Sequence, residues 1–359
     1  MTISQVATDY SRAVQPIFEQ RPHAGSIHSV FHRAVNVAID GTMLALLSSE
    51  LPHMPNGVRL PSTVMEELVQ GLRVGMEVWV GEGRLLIPDC DISLYLPKEQ
   101  LWEPRPDIEG YRWQRETVAQ HMWLLACYLA DRPEKVGFSG VGFWECLYSS
   151  PALSGEDMSY NPDHGHTCPP DRIPQWSLHR STPPPPLRIE RPGQEMPLAR
   201  MALPRLRLLE RTAREQDIAG VEEATRGLAG LGPGLTPAGD DVLAGFAAVM
   251  ALLSARISAD GTSRSHVAEV IAAVARPRTT VLSGVLLEYA ARGEVAEQLG
   301  EMLLALALPA GESEAVLQAA DKLLDFGGTS GGDTLLGVLF GLRALEGKYG
   351  DDLHIERDI

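Results

Sequence analysis

The sequence predicts an α+β chain: a mainly β N-terminal domain, built as a small barrel or curled sheet, followed by a mainly α-helical C-terminal domain. Three observations lead there. The first hundred residues alternate apolar and polar positions in short runs broken by turn residues, which is strand and hairpin patterning. From Leu203 to Leu345 the apolar spacing is helical. Two of the helical runs open on one pattern, Gly-x-Thr-x-x-Gly-Asp, first at Gly234, Thr236, Gly239 and Asp240 and again at Gly327, Thr329, Gly332 and Asp333. The organisation expected is a β domain over 1–110, a mixed linker region with an irregular proline-rich insert over 111–200, and a helical domain over 201–347.

Residues 1–20 read as a short helix or an arm that docks through Val14, Ile17 and Phe18. Alternation over 27–37 predicts one strand, Asp40-Gly41 a hairpin turn, and 43–47 the strand that follows. Pro52, Pro55, Asn56-Gly57 and Pro61 break the chain into turns, after which Ser62 opens a short capped helix. A second hairpin is expected from 77–80 and 84–87 around Gly81-Glu82-Gly83. A helix over 113–130 ends at Asp131-Arg132-Pro133, and the apolar, glycine-punctuated stretch 137–148 either closes over a site or packs between domains. Regularity fades over 149–197, where Pro183, Pro184, Pro185 and Pro186 make a stiff polyproline run. Further helices are expected over 206–228, 240–257, 266–275, 280–292, 296–306, 313–324 and 330–345. Their Gly, Ala and Leu faces suit close helix packing, and the two that follow the glycine motif read apolar nearly all round, as buried central helices do.

A chain of 359 residues can bury substantial cores without disulfides or metals. Its formal charge of −16 argues against a nucleic-acid backbone or an anionic membrane as partner, and an anionic substrate would need local positive potential. The Arg-rich stretch from Arg180 to Arg214 is the one local exception and reads first as a solvated basic face. Cys90, Cys127, Cys146 and Cys168 are widely spaced and make no C-x-x-C pair, so a reduced, cytoplasmic protein is expected. No basic n-region opens the chain, and no uncharged apolar run reaches membrane-spanning length. His28 and His32 share a face but lack the further ligands a metal needs, and the cluster Asp163-His164-Gly165-His166-Thr167-Cys168 reads as a surface loop without a distant partner.

The duplicated motif carries the functional argument. Thr236 is placed to cap the first helix, with Pro237 at its first position and Asp240 and Asp241 in its first turn. Capping needs a Thr and an Asp; it does not need three glycines, which are expected where backbone approaches something closely or φ is positive. Two readings follow: a pair of tight turns with ordinary caps, or one shared anion site in which free helix-start N–H groups hold a phosphate or carboxylate. The duplication favours the second. Arg276 and Arg278 flank a third polar helix start, where Thr279 or Thr280 caps and Ser283 lies one turn in, a candidate third wall.

The stretches around Gly230 to Gly245, Thr279 to Leu287, Gly327 to Gly337 and His28 to Asn36 together resemble the family of the third, H-type subunit of oxamate carbamoyltransferase, found with genes of allantoin and purine breakdown. The resemblance implies a part in carbamoyl transfer, in which oxalurate and phosphate are interconverted with oxamate and carbamoyl phosphate. It also implies partner subunits, one of them similar to acyl-CoA synthetase subunits. On that reading Gly232, Gly234, Gly239, Gly331 and Gly332 would give close backbone approach to a phosphate, and Thr236, Thr280, Ser283, Thr329 and Ser330 would supply hydroxyls, with Arg278 beside them. Asp240, Asp241 and Asp333 would repel an anion unless a Mg²⁺-like cation lay between, or unless they oriented an amide NH₂. The irregular stretch 149–197 departs from the compact family pattern.

Two other readings stay open at this level. Gly-Asp-Asp on one helix and Gly-Asp-Thr on another also resemble the way helical ADP-ribosyl hydrolases hold paired magnesium ions. Alternatively, the chain is a noncatalytic subunit that binds a metabolite or scaffolds a partner enzyme.

Overall fold

Ten strands form one sheet: β1 (Ile3–Val6), β2 (Asp9–Ser11), β3 (His23–Val30), β4 (Ala34–Ile39), β5 (Thr42–Ser48), β6 (Gly57–Leu60), β7 (Glu77–Gly81), β8 (Arg84–Ile87), β9 (Ile92–Tyr95) and β10 (Leu101–Trp102). Their order is β1-β9-β8-β7-β3-β4-β5-β6-β2-β10. The structure is a computed structural model that describes residues 3–97, 99–138, 197–258 and 260–346. The Asp163 to Cys168 cluster, the polyproline run and most of the stretch after Gly137 lie outside the described residues.

The sheet curls because the chain ties its edges together. β1 pairs with β9 at one end and β2 with β6 near the other, yet only Ala7 and Thr8 separate them. Three peptide steps reach at most about 11 Å. The Ala7 N–H donates to the Tyr95 carbonyl and the Thr8 N–H to the Arg59 carbonyl, both at 2.8 Å, so these two residues stitch one edge to the other. Inside the curl Val35, Val37, Leu44, Leu46, Val78, Val80, Leu85 and Ile87 meet Val14 and Phe18. Phe18 comes from α1 (Gln15–Glu19), and α2 (Ser62–Gly71) adds Met65 and Leu68.

Local expectations were met unevenly. Asp40 and Gly41 form the expected hairpin turn with φ of 46° and 77°, the left-handed pair that suits strand twist. The single strand expected over 27–37 is instead two antiparallel strands that reverse at Phe31-His32-Arg33, where the Phe31 N–H donates to the Ala34 carbonyl. Alternation persists through a turn that carries no Gly or Pro, so the pattern conceals it. Ser62 is not a cap: Pro61 holds the cap position, and the Ser62 hydroxyl bonds that of Ser48 at 3.1 Å. The expected arm supplies two strands as well as a helix.

The helical half contains α3 (Arg115–Ala130), α4 (Pro197–Glu215), α5 (Ile218–Leu228), α6 (Ala238–Leu252), α7 (Ser254–Ile257), α8 (Ser265–Ala275), α9 (Val281–Ala291), α10 (Glu297–Ala305), α11 (Ser313–Leu324) and α12 (Ser330–Leu345). The helix expected over 206–228 breaks at Gln216, whose φ is 57°, and restarts on Asp217, which caps the Gly220 N–H. Val118, Met122, Leu125 and Leu129 of α3 belong to the same core as α4 to α12. None of the helices among the described residues is long and apolar enough to cross a membrane.

α6 and α12 form the buried centre. Glycine lets their backbones touch: a Cβ on Gly245 would stand 2.1 Å from the Thr334 carbonyl oxygen, and one on Gly337 would stand 2.0 Å from that of Val242. Further along, Gly341 faces Val249. The contacts advance together along both helices, so the two run in the same sense and start at one end of the molecule. Met43 of β5 packs on Val285 and Tyr289 of α9, where the sheet meets the helices.

Candidate functional site

The parallel pair brings both glycine motifs together. Thr236 Oγ1 lies 3.2 Å from Ser330 Oγ across 94 positions of sequence, and the Ser330 hydroxyl also bonds the Asp241 carboxyl. Thr280 Oγ1 and Ser283 Oγ donate to the Leu235 carbonyl at 2.6 and 3.3 Å, which ties the start of α9 to the turn before α6. Thr280 is the cap of α9, its oxygen accepting from the Ser283 N–H at 3.1 Å.

Thr236, by contrast, caps nothing. Pro237 occupies the cap position of α6, one residue earlier in the helix frame than expected, and the Thr236 hydroxyl turns to Ser330. Arg278 also points away, its Nη1 donating to the Val274 carbonyl at 2.8 Å.

The helix-start amides are largely engaged. The Gly239 N–H donates to the Leu231 carbonyl at 2.8 Å, and those of Asp240 and Asp241 to the Pro237 carbonyl at 2.8 and 3.2 Å. At α12 the Gly331 N–H donates to the Phe326 carbonyl and that of Asp333 to the Thr329 carbonyl. The glycines sit close to protein backbone: a Cβ would fall 2.1 Å from the Leu228 oxygen at Gly239, 1.8 Å from that of Leu323 at Gly331, and 1.9 Å from that of Lys135 at Gly332. Gly232 has φ of 122° and faces the Ala238 nitrogen; Gly234, at 98°, borders open space.

Three carboxyls lie where the motifs meet. Asp240 is 2% exposed; its Oδ1 accepts from the Gly230 N–H at 2.9 Å and its Oδ2 from the Thr279 hydroxyl. Asp333 is fully buried, with Oδ1 accepting from the Gly137 N–H at 2.9 Å and Oδ2 left without a hydrogen bond. Asp241 Oδ2 is likewise buried and unpartnered. Burial pushes all three acids up, Asp333 to about 7 and Asp241 well above the usual carboxylate range, where the charges of Asp333 and Asp240 add to the effect. No group of three or more His, Cys, Asp or Glu among the described residues could hold a metal ion.

Asp240 and Asp241 line a small pocket of about 70 Å³ between the Met54-Pro55 turn of the sheet and the helices. Leu286, Leu299, Leu323 and Phe326 give it apolar walls; Ser283, Glu294 and Gln298 add polar ones. Gln298 Oε1 is buried without a partner. Sequence reasoning reached the carboxyls and hydroxyls, had Thr279 among the candidates for a third wall and Gly137 at the start of a stretch that could close over a site, but gave Gly230 no part as a donor and missed Gln298. The polar Arg-Thr-Thr start of α9 pointed to the neighbourhood of Thr279; nothing local marks Gln298.

Two family models match the chain. A model described as oxamate carbamoyltransferase subunit AllH matches residues 228–342, which contain both motifs and the start of α9. A model of the AllH family N-terminal domain matches residues 5–99, the curled sheet. No solved structure matches the chain. With both halves accounted for, the chain belongs to the family of the oxamate carbamoyltransferase subunit AllH.

Proposed function

We propose that this chain is the subunit of a carbamoyltransferase complex that holds the nitrogen end of the reacting groups, with oxamate and carbamoyl phosphate on one side of the reaction and oxalurate and phosphate on the other. The observation that carries the proposal is the buried acid group at the junction of α6 and α12, with Asp241 lining the pocket and keeping one oxygen unpartnered. In the forward transfer the oxamate nitrogen attacks the carbamoyl carbon, the bond from that carbon to the phosphate oxygen breaks, and phosphate leaves with the electron pair. The attacking nitrogen must shed a proton. Asp241 is placed to accept a hydrogen bond from that N–H and then its proton, because burial and the neighbouring acids raise its basicity. Asp333, fully buried behind Gly137, acts through Asp241 as a positioning and charge-coupled residue.

Thr236, Ser330, Thr329 and Thr280 offer hydroxyls around the same junction, and Gly232 and Gly234 shape the turn that presents them. The test is turnover of carbamoyl phosphate and oxamate by the assembled complex carrying Asp241→Asn. The expected outcome is a loss of about 100-fold or more with the chain still folded; unchanged turnover would sink the assignment.

A further inference from the structure

Both substrates of the proposed reaction are anions, yet the described residues of the pocket wall offer no cation. None of the described residues lining it is Lys, Arg or His. The cations around it are committed. Arg292 pairs with Glu294 at 2.9 Å, Arg276 with Glu288 at 2.9 Å, and Arg278 holds the Val274 carbonyl. Behind the Met54-Pro55 turn, Arg59 grips Asp9 at 2.7 Å, and His53 stands between Asp9 at 3.2 Å and Glu297 at 2.9 Å while stacking on Trp102. Of the helix-start amides, those of Gly239, Asp240, Asp241, Gly331 and Asp333 bond neighbouring carbonyls. What the pocket does leave unpartnered is a pair of oxygen acceptors, Asp241 Oδ2 and Gln298 Oε1, both buried. Acceptors suit an NH₂ group and repel a carboxylate or phosphate.

We infer that this pocket recognises the NH₂ group of the substrate and not its carboxylate, with Gln298 as a second recognition residue beside Asp241. The inference rests on the carbamoyl-transfer reading for the identity of the substrates. His53 and the sheet matter here because they hold Glu297, the residue before Gln298, from both its side chain and main chain: the His53 N–H donates to Glu297 Oε2 at 2.9 Å.

Calorimetry on the full isolated chain tests this with two probes that differ in charge, oxamate and its neutral ester ethyl oxamate, and with inorganic phosphate. The ester is expected to bind at least tenfold more tightly than oxamate, with phosphate not binding. Gln298→Leu, which keeps a side chain of similar size, is expected to weaken the ester at least fivefold, while Gln298→Glu retains it. Oxamate or phosphate binding as well as the ester would overturn the inference, as would no ester binding to the folded chain, or ester binding that Gln298→Leu leaves unchanged. Because these measurements involve no turnover, their failure is distinct from that of the transfer reaction itself.

Discussion

At the head of α6 and at the head of α12 the same residues meet different surroundings. Asp240 and Asp333 each accept a glycine N–H at 2.9 Å through Oδ1, from Gly230 and Gly137. There the likeness stops. Asp240 Oδ2 takes the Thr279 hydroxyl, whereas Asp333 Oδ2 has no hydrogen bond and is the more deeply buried. One copy is a finished hydrogen-bonded corner. The other holds a carboxyl with one oxygen unpartnered at the centre of the helical core, where burial raises its proton affinity despite hydrogen bonds from Thr329, Gly137 and Phe138. The pattern of glycines and acids therefore fixes where carboxyls are placed, while the neighbouring loop decides what each can do.

The largest expected effect tests what the shared glycines are for. Gly239→Ala and Gly332→Ala each drive a methyl into a backbone carbonyl at 2.1 and 1.9 Å, and each should lose about 3 kcal/mol or more in urea unfolding. Gly234→Ala meets open space at φ of 98° and should cost about 1–2 kcal/mol, for its backbone strain alone. Equal losses at all three positions would erase the distinction between packing glycines and the turn glycine.

The next test separates the two aspartates by pH. Asp333 has its folded value raised to about 7 from 3.8, so the neutral form is favoured by folding. That stability is fully present below about pH 4 and is lost as pH rises through about 7, with a slope near 1.4 kcal/mol per pH unit while one proton is being released. Asp333→Asn should flatten this part of the melting-temperature profile between about pH 4 and 7. Asp240→Asn should flatten it less, because Asp240 is less deeply buried and both of its oxygens accept hydrogen bonds. A profile that neither variant alters would mean the acids are ionised alike.

The smallest effect concerns the contact between the copies. A double-mutant cycle with Thr236→Ala and Ser330→Ala should give a coupling of about 0.5–1 kcal/mol, the worth of one half-buried hydroxyl pair. Strict additivity would show that the two hydroxyls do not meet in solution.

Much of the fold could be read from periodicity. The helices from 265 onward, the Asp40-Gly41 turn and the second hairpin all announce themselves through local spacing. The errors have a common origin: Phe31-His32-Arg33 and Gln216 turn the chain without Gly or Pro, and Thr236 has the right chemistry for a cap that Pro237 takes instead. Of the site, the sequence marks the acids and hydroxyls because their spacing repeats.

By itself, then, the sequence determined a β half, a helical half and two acid-bearing helix starts, since each depends on contacts within a few residues. Tertiary structure alone decided that α6 and α12 run side by side, that the amides of Gly239 and Gly331 are spent on neighbouring carbonyls, and that Gln298 and Asp241 face one pocket. Those outcomes depend on backbone carbonyls and loops brought from distant positions, whose hydrogen bonds and desolvation no local pattern records.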